Sequence, residues 1–144
     1  MELLAEARRA VLATTRADGR PRLVPIAFAT DPAPTQLVIY SALDEKPKSV
    51  ADVRRLARVR DILARPAVSV LVDRWSEDWS ELEWHRYDGH ARLLEPSTAA
   101  DSAEHARAVA LLRARYPQYA AQHLEDLPVI RIAVDTTAGW RARS

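Results

Sequence analysis

The order of its predicted strands and helices is the feature that most limits what this chain can fold into. Hydrophobic periodicity and turn residues predict helices over residues 3–9, 50–64 and 98–115, and strands over residues 11–15, 22–28, 36–41, 68–72, 84–94 and 129–134. Strands that occur in runs, rather than in alternation with helices, favour a mostly antiparallel α+β fold over a doubly wound parallel sheet. The pair Asp18-Gly19 predicts a tight hairpin turn between the first two strands, and Gly89 is a candidate for a bulge in the fifth.

Composition limits the class of protein further. A chain of 144 residues fits one domain, and we treat residues 1–144 as a single domain. Because the chain has no cysteine, disulfides, thiolate catalysis and iron–sulfur clusters are excluded. A net charge of +1 predicts no nucleic-acid partner, and no stretch approaches the about 20 apolar residues of a membrane span. The acidic N-terminus is unlike a secretory signal, so we expect a cytoplasmic protein with no membrane association.

The few glycines and histidines exclude several kinds of site. Only three glycines occur, at positions 19, 89 and 139, which is too few for a glycine-rich phosphate loop of the dinucleotide or Walker type. His85 and His90 are five positions apart in a predicted strand, so they would face opposite sides of it. No histidine pair has HExxH spacing, and no serine lies in a nucleophile-elbow context. The sequence therefore predicts no metal site and suggests no hydrolase triad.

Residues 40–52 carry the clearest candidate for an anion-binding site. They run from the end of a strand into the start of a helix, where Ser49 is a suitable N-cap and Asp52 completes a capping box. Lys46 and Lys48 precede this cap, and two lysines beside the free N–H groups of a helix N-terminus form a compact phosphate site. Three arginines extend the positive surface along the helix: Arg54, Arg55 and Arg58. Solvated charges around an ordinary helix start explain the same pattern, and the residues alone leave both interpretations open.

Tryptophan is concentrated in one short segment. Trp75, Trp79 and Trp84 fall within ten residues and alternate with acidic side chains. Aromatic and charged residues mixed in this way suit an interface or the wall of a ring-binding cleft, and packing in the core explains them equally well. The acidic neighbours argue against single-stranded nucleic acid, which needs a positive groove beside its stacking platforms.

Several short motifs follow one another in an order that is typical of one family. They are LATT at 12–15, DGRPRLVP at 18–25, VIYSA at 38–42, KPK at 46–48, RPAVSVLVD at 65–73, GHARLL at 89–94, RARYPQY at 113–119 and the terminal Gly139-Trp140. This set resembles the pyridoxamine 5'-phosphate oxidase-like split barrels, and within them the flavin/deazaflavin oxidoreductases that use coenzyme F420. The resemblance implies a six-stranded antiparallel split β-barrel with flanking helices, the FMN-binding split-barrel fold. It also implies a homodimer with cofactor sites at the subunit interface.

The same resemblance implies which residues bind the cofactor. The phosphate would lie at Lys46 and Lys48, which agrees with the argument from the helix start. The tricyclic ring would lie between two short segments: Tyr40, Ser41 and Ala42 on one side, Val24 and Pro25 on the other. The acidic tail or the phosphate would meet three arginines: Arg54, Arg55 and Arg58. Trp79 and Trp84 would come from the partner subunit or border the substrate cleft.

The function that follows is an F420-dependent oxidoreductase, which transfers a hydride between the deazaflavin and a small electrophilic substrate. We assign no catalytic acid or base, and Tyr40 and His85 are the only candidates. The alternatives are an FMN-dependent oxidoreductase, a flavin-, haem- or bilin-binding protein on the same barrel, and a cofactor-free dimeric interaction module. The segment 131–140 lacks the arginine- and serine-rich substrate motif of the true oxidases, so the resemblance does not extend to oxidation of vitamin B6.

Overall fold

The computed structural model describes residues 2–31, 35–43 and 52–142. This part of the chain contains three α-helices: α1 (Glu2–Glu6), α2 (Ala57–Ala64) and α3 (Ser102–Arg115). It contains seven strands: β1 (Ala10–Thr15), β2 (Pro21–Ile26), β3 (Ala29–Thr30), β4 (Val38–Ala42), β5 (Ala67–Arg74), β6 (Glu83–Leu94) and β7 (Val129–Arg141). Short 3-10 turns lie at Val53–Arg55, Trp79–Glu81, Pro117–Ala121 and Leu124–Asp126.

All seven strands form one antiparallel sheet in the order β2-β1-β5-β6-β7-β4-β3. The two edge strands, β2 and β3, are consecutive in the chain, and only Ala27 and Phe28 separate them. A sheet whose two edges are joined by so short a link must curl until the edges meet. The predicted antiparallel α+β split barrel is therefore confirmed.

The strand predicted over residues 22–28 is divided in two, which raises the strand number from six to seven. The Phe28 N–H donates to the Tyr116 hydroxyl at 3.0 Å, and the Ala27 carbonyl accepts from Ser41 Oγ at 3.0 Å. Because both backbone groups bond to side chains, the chain leaves the ladder of β2 here and starts β3. Counting β2 and β3 as one bent strand gives the six of a split barrel.

The helix predicted over residues 50–64 is shorter than expected. The 3-10 turn Val53–Arg55 begins after Asp52, whose side chain accepts from the Arg54 N–H at 3.0 Å, and α2 starts only at Ala57. Leu56 between them is extended, with φ −57° and ψ 143°. Burial at every third position explains the break, since this period fits a 3-10 turn followed by a helix better than one straight α-helix. The positions are Val53, Leu56, Val59 and Ile62.

The last strand is longer than the predicted 129–134, because β7 pairs with β6 along its whole length. The register shifts once, between Asp88 and Gly89, so that Asp135 has no direct partner on β6. The bulge predicted at Gly89 is thus present, with the extra residue on β7. A Cβ on Gly89 would lie 2.9 Å from the carbonyl carbon of Ala133 and closer still to its oxygen. Only glycine fits this approach of β6 to β7.

Two apolar clusters hold the barrel together. The first fills the barrel interior and receives Val59 and Ile62 from α2, which covers one end. The second lies between the sheet and α3, where Ala108, Val109 and Leu112 pack on β4. All five residues of β4 are buried because the strand has the barrel interior on one face and α3 on the other. Its near-continuous apolar run is the pattern expected of a strand covered on both faces.

Candidate functional site

The curled sheet has an opening where its edges meet, and we call this opening the seam. Strand β2 has only β1 as a sheet neighbour among the described residues. Strand β3 pairs with Ile39 and Tyr40 of β4 but ends there, so in the described part of the chain Ser41 and Ala42 have only β7 beside them. The backbone edges of β2 and of the end of β4 therefore face the seam, where N–H and C=O groups are free of a second strand. Such edges suit the rim of a heterocycle that carries both donors and acceptors.

The ring-binding segments expected from the sequence come together at the seam. Ser41 bonds to the Ala27 carbonyl, and Ala27 lies two residues after Pro25, so the ends of β2 and β4 are adjacent. Pro25 is exposed, whereas Val24 is partly buried and packs against the barrel core. Ser41 and Ala42 are buried. Contact with a ring on this side would therefore use backbone groups of β4 more than its side chains.

Tyr40 is a core residue rather than part of an open site. Its side chain is fully buried, and its hydroxyl donates to Glu104 Oε2 at 2.6 Å. Burial, followed by the neighbouring Glu104 carboxylate, raises the pKa of Tyr40 to about 12. Arg131 Nε also donates to Glu104 Oε2 at 2.7 Å, which completes a network between β4, β7 and α3. A phenol held in this way is a poor proton donor near neutral pH.

The predicted phosphate-binding lysines, Lys46 and Lys48, and the predicted N-cap Ser49 lie outside the described residues. Of the three arginines expected to follow them, Arg54 is engaged with Glu95 through contacts of 2.5 Å and 3.1 Å. Arg55 is exposed, and Arg58 is partly buried. With Arg54 neutralised by a carboxylate, the exposed Arg55 is the better candidate for an acidic tail.

An apolar cleft gathers tryptophans from three separate segments. Trp75, Trp84 and Trp140 line a cavity of about 490 Å³ together with Leu71 and Leu82. Trp84 and Trp140 are cross-strand partners on β6 and β7, which fixes their relative position. Trp79 lies in the nearby 3-10 turn and is 69% exposed. The structure thus places Trp84 on the cleft wall. It also adds Trp140, which pairs with Trp84 from a strand far along the chain, a pairing that the sequence spacing did not indicate.

One carboxylate–histidine pair lies beside this cleft. Glu83 is buried and accepts from His85 Nε2 at 2.7 Å and from Arg74 at 3.0 Å. The hydrogen bond from His85, helped by the Arg141 guanidinium, lowers the pKa of Glu83 despite its burial. His85 lines a separate cavity of about 390 Å³ with Tyr87 and the end of β7. It is better placed than Tyr40 for proton transfer.

A groove rich in arginine was not expected from the sequence. It lies between the turn that joins β1 to β2 and helix α2, and we call it the arginine groove. Its charged lining comes from both sides: Arg16, Asp18, Arg22, Arg60, Asp61 and Arg65. These positions are far apart in the sequence, so only the docking of α2 on the hairpin brings them together.

The described residues contain neither a metal-binding cluster nor a membrane-spanning helix. No group of three or more histidine, aspartate and glutamate side chains there is arranged to hold a metal ion. No helix in the same part of the chain is both long and apolar enough to cross a membrane.

The fold and its seam define a split-barrel protein. The chain belongs to the pyridoxamine 5'-phosphate oxidase family, whose model matches residues 1–141. No curated protein matches the sequence.

Several solved structures share the fold at low sequence identity. A conserved hypothetical protein from Mycobacterium tuberculosis is 18% identical with a TM-score of 0.70, over 97% of this chain and 81% of that chain. An FAD-binding protein from Mesorhizobium loti is 22% identical with a TM-score of 0.66, over 96% and 88%. The haem storage protein HutZ from Vibrio cholerae is 15% identical with a TM-score of 0.67, over 97% and 89%. At these sequence identities the similarity shows a shared fold only.

Proposed function

We propose that this protein is an oxidoreductase that binds a flavin or deazaflavin at the seam, with coenzyme F420 as the first candidate and FMN as the second. The observation that carries the proposal is the adjacency of two open backbone edges, β2 near Pro25 and β4 at Ser41 and Ala42. The bound coenzyme supplies the hydride, and the protein supplies orientation and electrostatics. The substrate is a small electrophile.

The phosphate of the coenzyme is assigned to Lys46 and Lys48. They follow Ala42, the last residue of β4, by four and six positions in the sequence. A compact ammonium charge is a common partner of phosphate groups. Arg55, which is exposed, is assigned to the acidic tail that F420 carries and FMN lacks. This tail is the reason for placing F420 first.

We assign the subunit interface of a homodimer to the exposed apolar surface. Among the described residues, five large apolar side chains are about half exposed or more: Leu23, Leu63, Trp75, Trp79 and Trp140. Large apolar side chains left in water are typical of surfaces that are covered by a partner. In such a dimer the cleft of Trp75, Trp84 and Trp140 would border the substrate of one subunit or the other. Sedimentation as a monomer at micromolar concentration would contradict this assignment.

The lysines allow a direct test of the site. Lys46 and Lys48 are the only lysines in the chain, so an amine-reactive reagent modifies these two side chains and the N-terminus. We expect saturating F420 to slow modification of both lysines severalfold, measured by mass spectrometry, while the N-terminal amine reacts at an unchanged rate. Equal rates with and without bound F420 would contradict the lysine assignment.

A matched pair of variants extends the test to affinity. Lys46→Ala combined with Lys48→Ala should weaken F420 binding at least about tenfold, because each charge-assisted hydrogen bond contributes about 1.5–3 kcal/mol. Arg20→Ala combined with Arg107→Ala removes the same charge from two exposed positions, on the β1–β2 turn and on α3, and should leave the affinity within about twofold. A similar loss in both double variants would indicate general electrostatic attraction instead of a phosphate site.

Haem binding without catalysis is the alternative favoured by one structural neighbour, the haem storage protein HutZ. Among the histidines of this chain, His85, His90 and His105 already bond to Glu83, Asp135 and the Leu127 carbonyl respectively. An axial ligand drawn from these three histidines would have to break one of these contacts. Addition of haemin to the apo-protein tests this alternative, since a bound haem gives a shifted Soret band.

A further inference from the structure

The arginine groove is a second cavity that the proposed ring and lysine site does not use. It encloses about 520 Å³ between the β1–β2 turn and α2. Arg16 and Arg22 come from the hairpin side, and Arg60 and Arg65 come from the helix side. The rest of the lining is small, with Ala17, Ala57 and Ala64 leaving the space open.

Asp61 fixes the guanidinium groups that line the groove. Its side chain is 6% exposed, and its Oδ2 accepts from Thr14 Oγ1 at 2.7 Å and from Arg22 Nε at 2.8 Å. Arg65 lies 3.6 Å from Asp61 Oδ1, and its Nε donates to the Thr15 carbonyl at 2.8 Å. Arg22 is therefore held through one nitrogen, and Arg65 through one hydrogen bond and one weak contact. Most of their five N–H donors have no partner among the described residues.

The charge of the groove is not balanced by its own carboxylates. Four guanidinium groups face two carboxylates, which leaves two positive charges in excess. Asp18 lies 3.2 Å from Arg16, but both side chains are nearly half exposed, so solvent screens this pair. Asp61 is shared between Arg22 and Arg65 and can neutralise only one of them. Prearranged arginines with unused donors are the usual means of binding phosphate or carboxylate in a bidentate manner.

We propose that the arginine groove binds a ligand with two neighbouring anionic groups, such as a pyrophosphate or a chain of carboxylates. Arg22 and Arg65 are positioning and binding residues on the floor, and Arg60 and Arg16 close over the ligand from the two rims. Two sources supply this chemistry: the acidic end of a coenzyme bound at the seam, or a separate small polyanion. The first source rests on the proposed function, and the second is independent of it.

Calorimetric titration with inorganic pyrophosphate at low ionic strength tests the groove itself. We expect binding with a Kd below about 1 mM that weakens steeply with salt. Arg60→Gln should weaken it at least about tenfold, because a charge-assisted contact is lost from an exposed position that does not support the core. Arg20→Gln is the matched control, since Arg20 is exposed on the same turn but does not line the groove. It should change Kd by less than about twofold.

Two results would overturn the proposal. One is the absence of pyrophosphate binding to the folded wild-type protein at 10-fold above the expected Kd, about 10 mM. The other is an equal loss of pyrophosphate affinity in Arg60→Gln and Arg20→Gln, which would indicate attraction to diffuse positive charge rather than binding at a site. Circular dichroism is used to check that each variant is folded.

A competition experiment separates the two sources of the ligand. If the groove holds the acidic end of the coenzyme, pyrophosphate competes with F420, and Arg60→Gln weakens F420 binding. If it holds a separate polyanion, pyrophosphate and F420 bind together, and Arg60→Gln leaves the F420 affinity unchanged. Both results support the groove. If the protein binds pyrophosphate but neither F420 nor FMN, the proposed function is refuted, whereas the proposal of a polyanion site in the groove stands.

Discussion

Substitution of Gly89 by alanine tests how closely β6 and β7 approach at the bulge. The new methyl carbon would lie 2.9 Å from the carbonyl carbon of Ala133 and 3.0 Å from Val134 Cα, and nearer still to the Ala133 oxygen. These are backbone atoms of a paired strand, so relief requires β7 to move away from β6 by about an ångström. Overpacking of this kind costs about 1–3 kcal/mol, and each ladder hydrogen bond that is lost adds about 1 kcal/mol.

We therefore expect Gly89→Ala to lower the free energy of unfolding by about 3–5 kcal/mol, which lowers Tm by about 10 °C or more for a domain of this size. Gly139→Ala is the matched control, because its methyl would meet the His85 ring, which is able to rotate. It should cost about 1 kcal/mol, the value of the His85–Glu83 hydrogen bond. Urea denaturation followed by circular dichroism measures both. A loss for Gly89→Ala no larger than that for Gly139→Ala would refute the reasoning.

Further predictions concern the polar networks. Burial raises the pKa of Asp61, but the hydrogen bonds from Thr14 and Arg22 outweigh it and hold that pKa below its ordinary value. The ionised carboxylate therefore stabilises the fold above about pH 4, and this contribution is lost as pH falls through the folded pKa. Asp61→Asn should lower the free energy of unfolding by about 1–3 kcal/mol at pH 7. This loss is smaller than that for breaking a fully buried ion pair, because the Arg22 and Arg65 side chains are about one-third exposed. The difference from wild type should shrink below about pH 4 in urea denaturation, and a constant difference would contradict the account. Tyr40→Phe removes the hydroxyl that Glu104 accepts and should cost about 1 kcal/mol, yet leave the F420 affinity within about twofold. A large loss of affinity would show that the Tyr40 side chain takes part in binding.

The sequence predicts the order of the strands well because their signals are local. Apolar runs and the Asp18-Gly19 turn depend on residues that are close in the chain. Gly89 marks the place of the bulge, but the extra residue lies on β7 and depends on the pairing of two distant strands. The break between β2 and β3 could not be predicted, because it depends on Tyr116 and Ser41, which come from distant elements. The late start of α2 depends likewise on burial of Leu56 against the barrel.

The candidate site likewise has parts that local motifs predict and parts that depend on contacts between distant residues. The seam segments at Val24, Pro25, Ser41 and Ala42 were named from motifs, and the structure places the two segments together. The arginine groove was missed because Arg16, Arg22, Arg60 and Arg65 share no local pattern. The pairing of Trp84 with Trp140 could not be predicted for the same reason, since α3 separates β6 from β7 in the chain and the bulge sets the register between the two strands.

Cofactor preference is the most direct test of the central claim. Purified apo-protein is titrated in parallel with F420 and with FMN, and both the cofactor and the tryptophan fluorescence are followed. We predict saturable binding of F420 at micromolar Kd or tighter, weaker binding of FMN, and quenching of tryptophan emission from the cleft of Trp75, Trp84 and Trp140. Tighter binding of FMN than of F420 would make FMN the first candidate for the cofactor. Failure of both to bind would contradict a cofactor site at the seam.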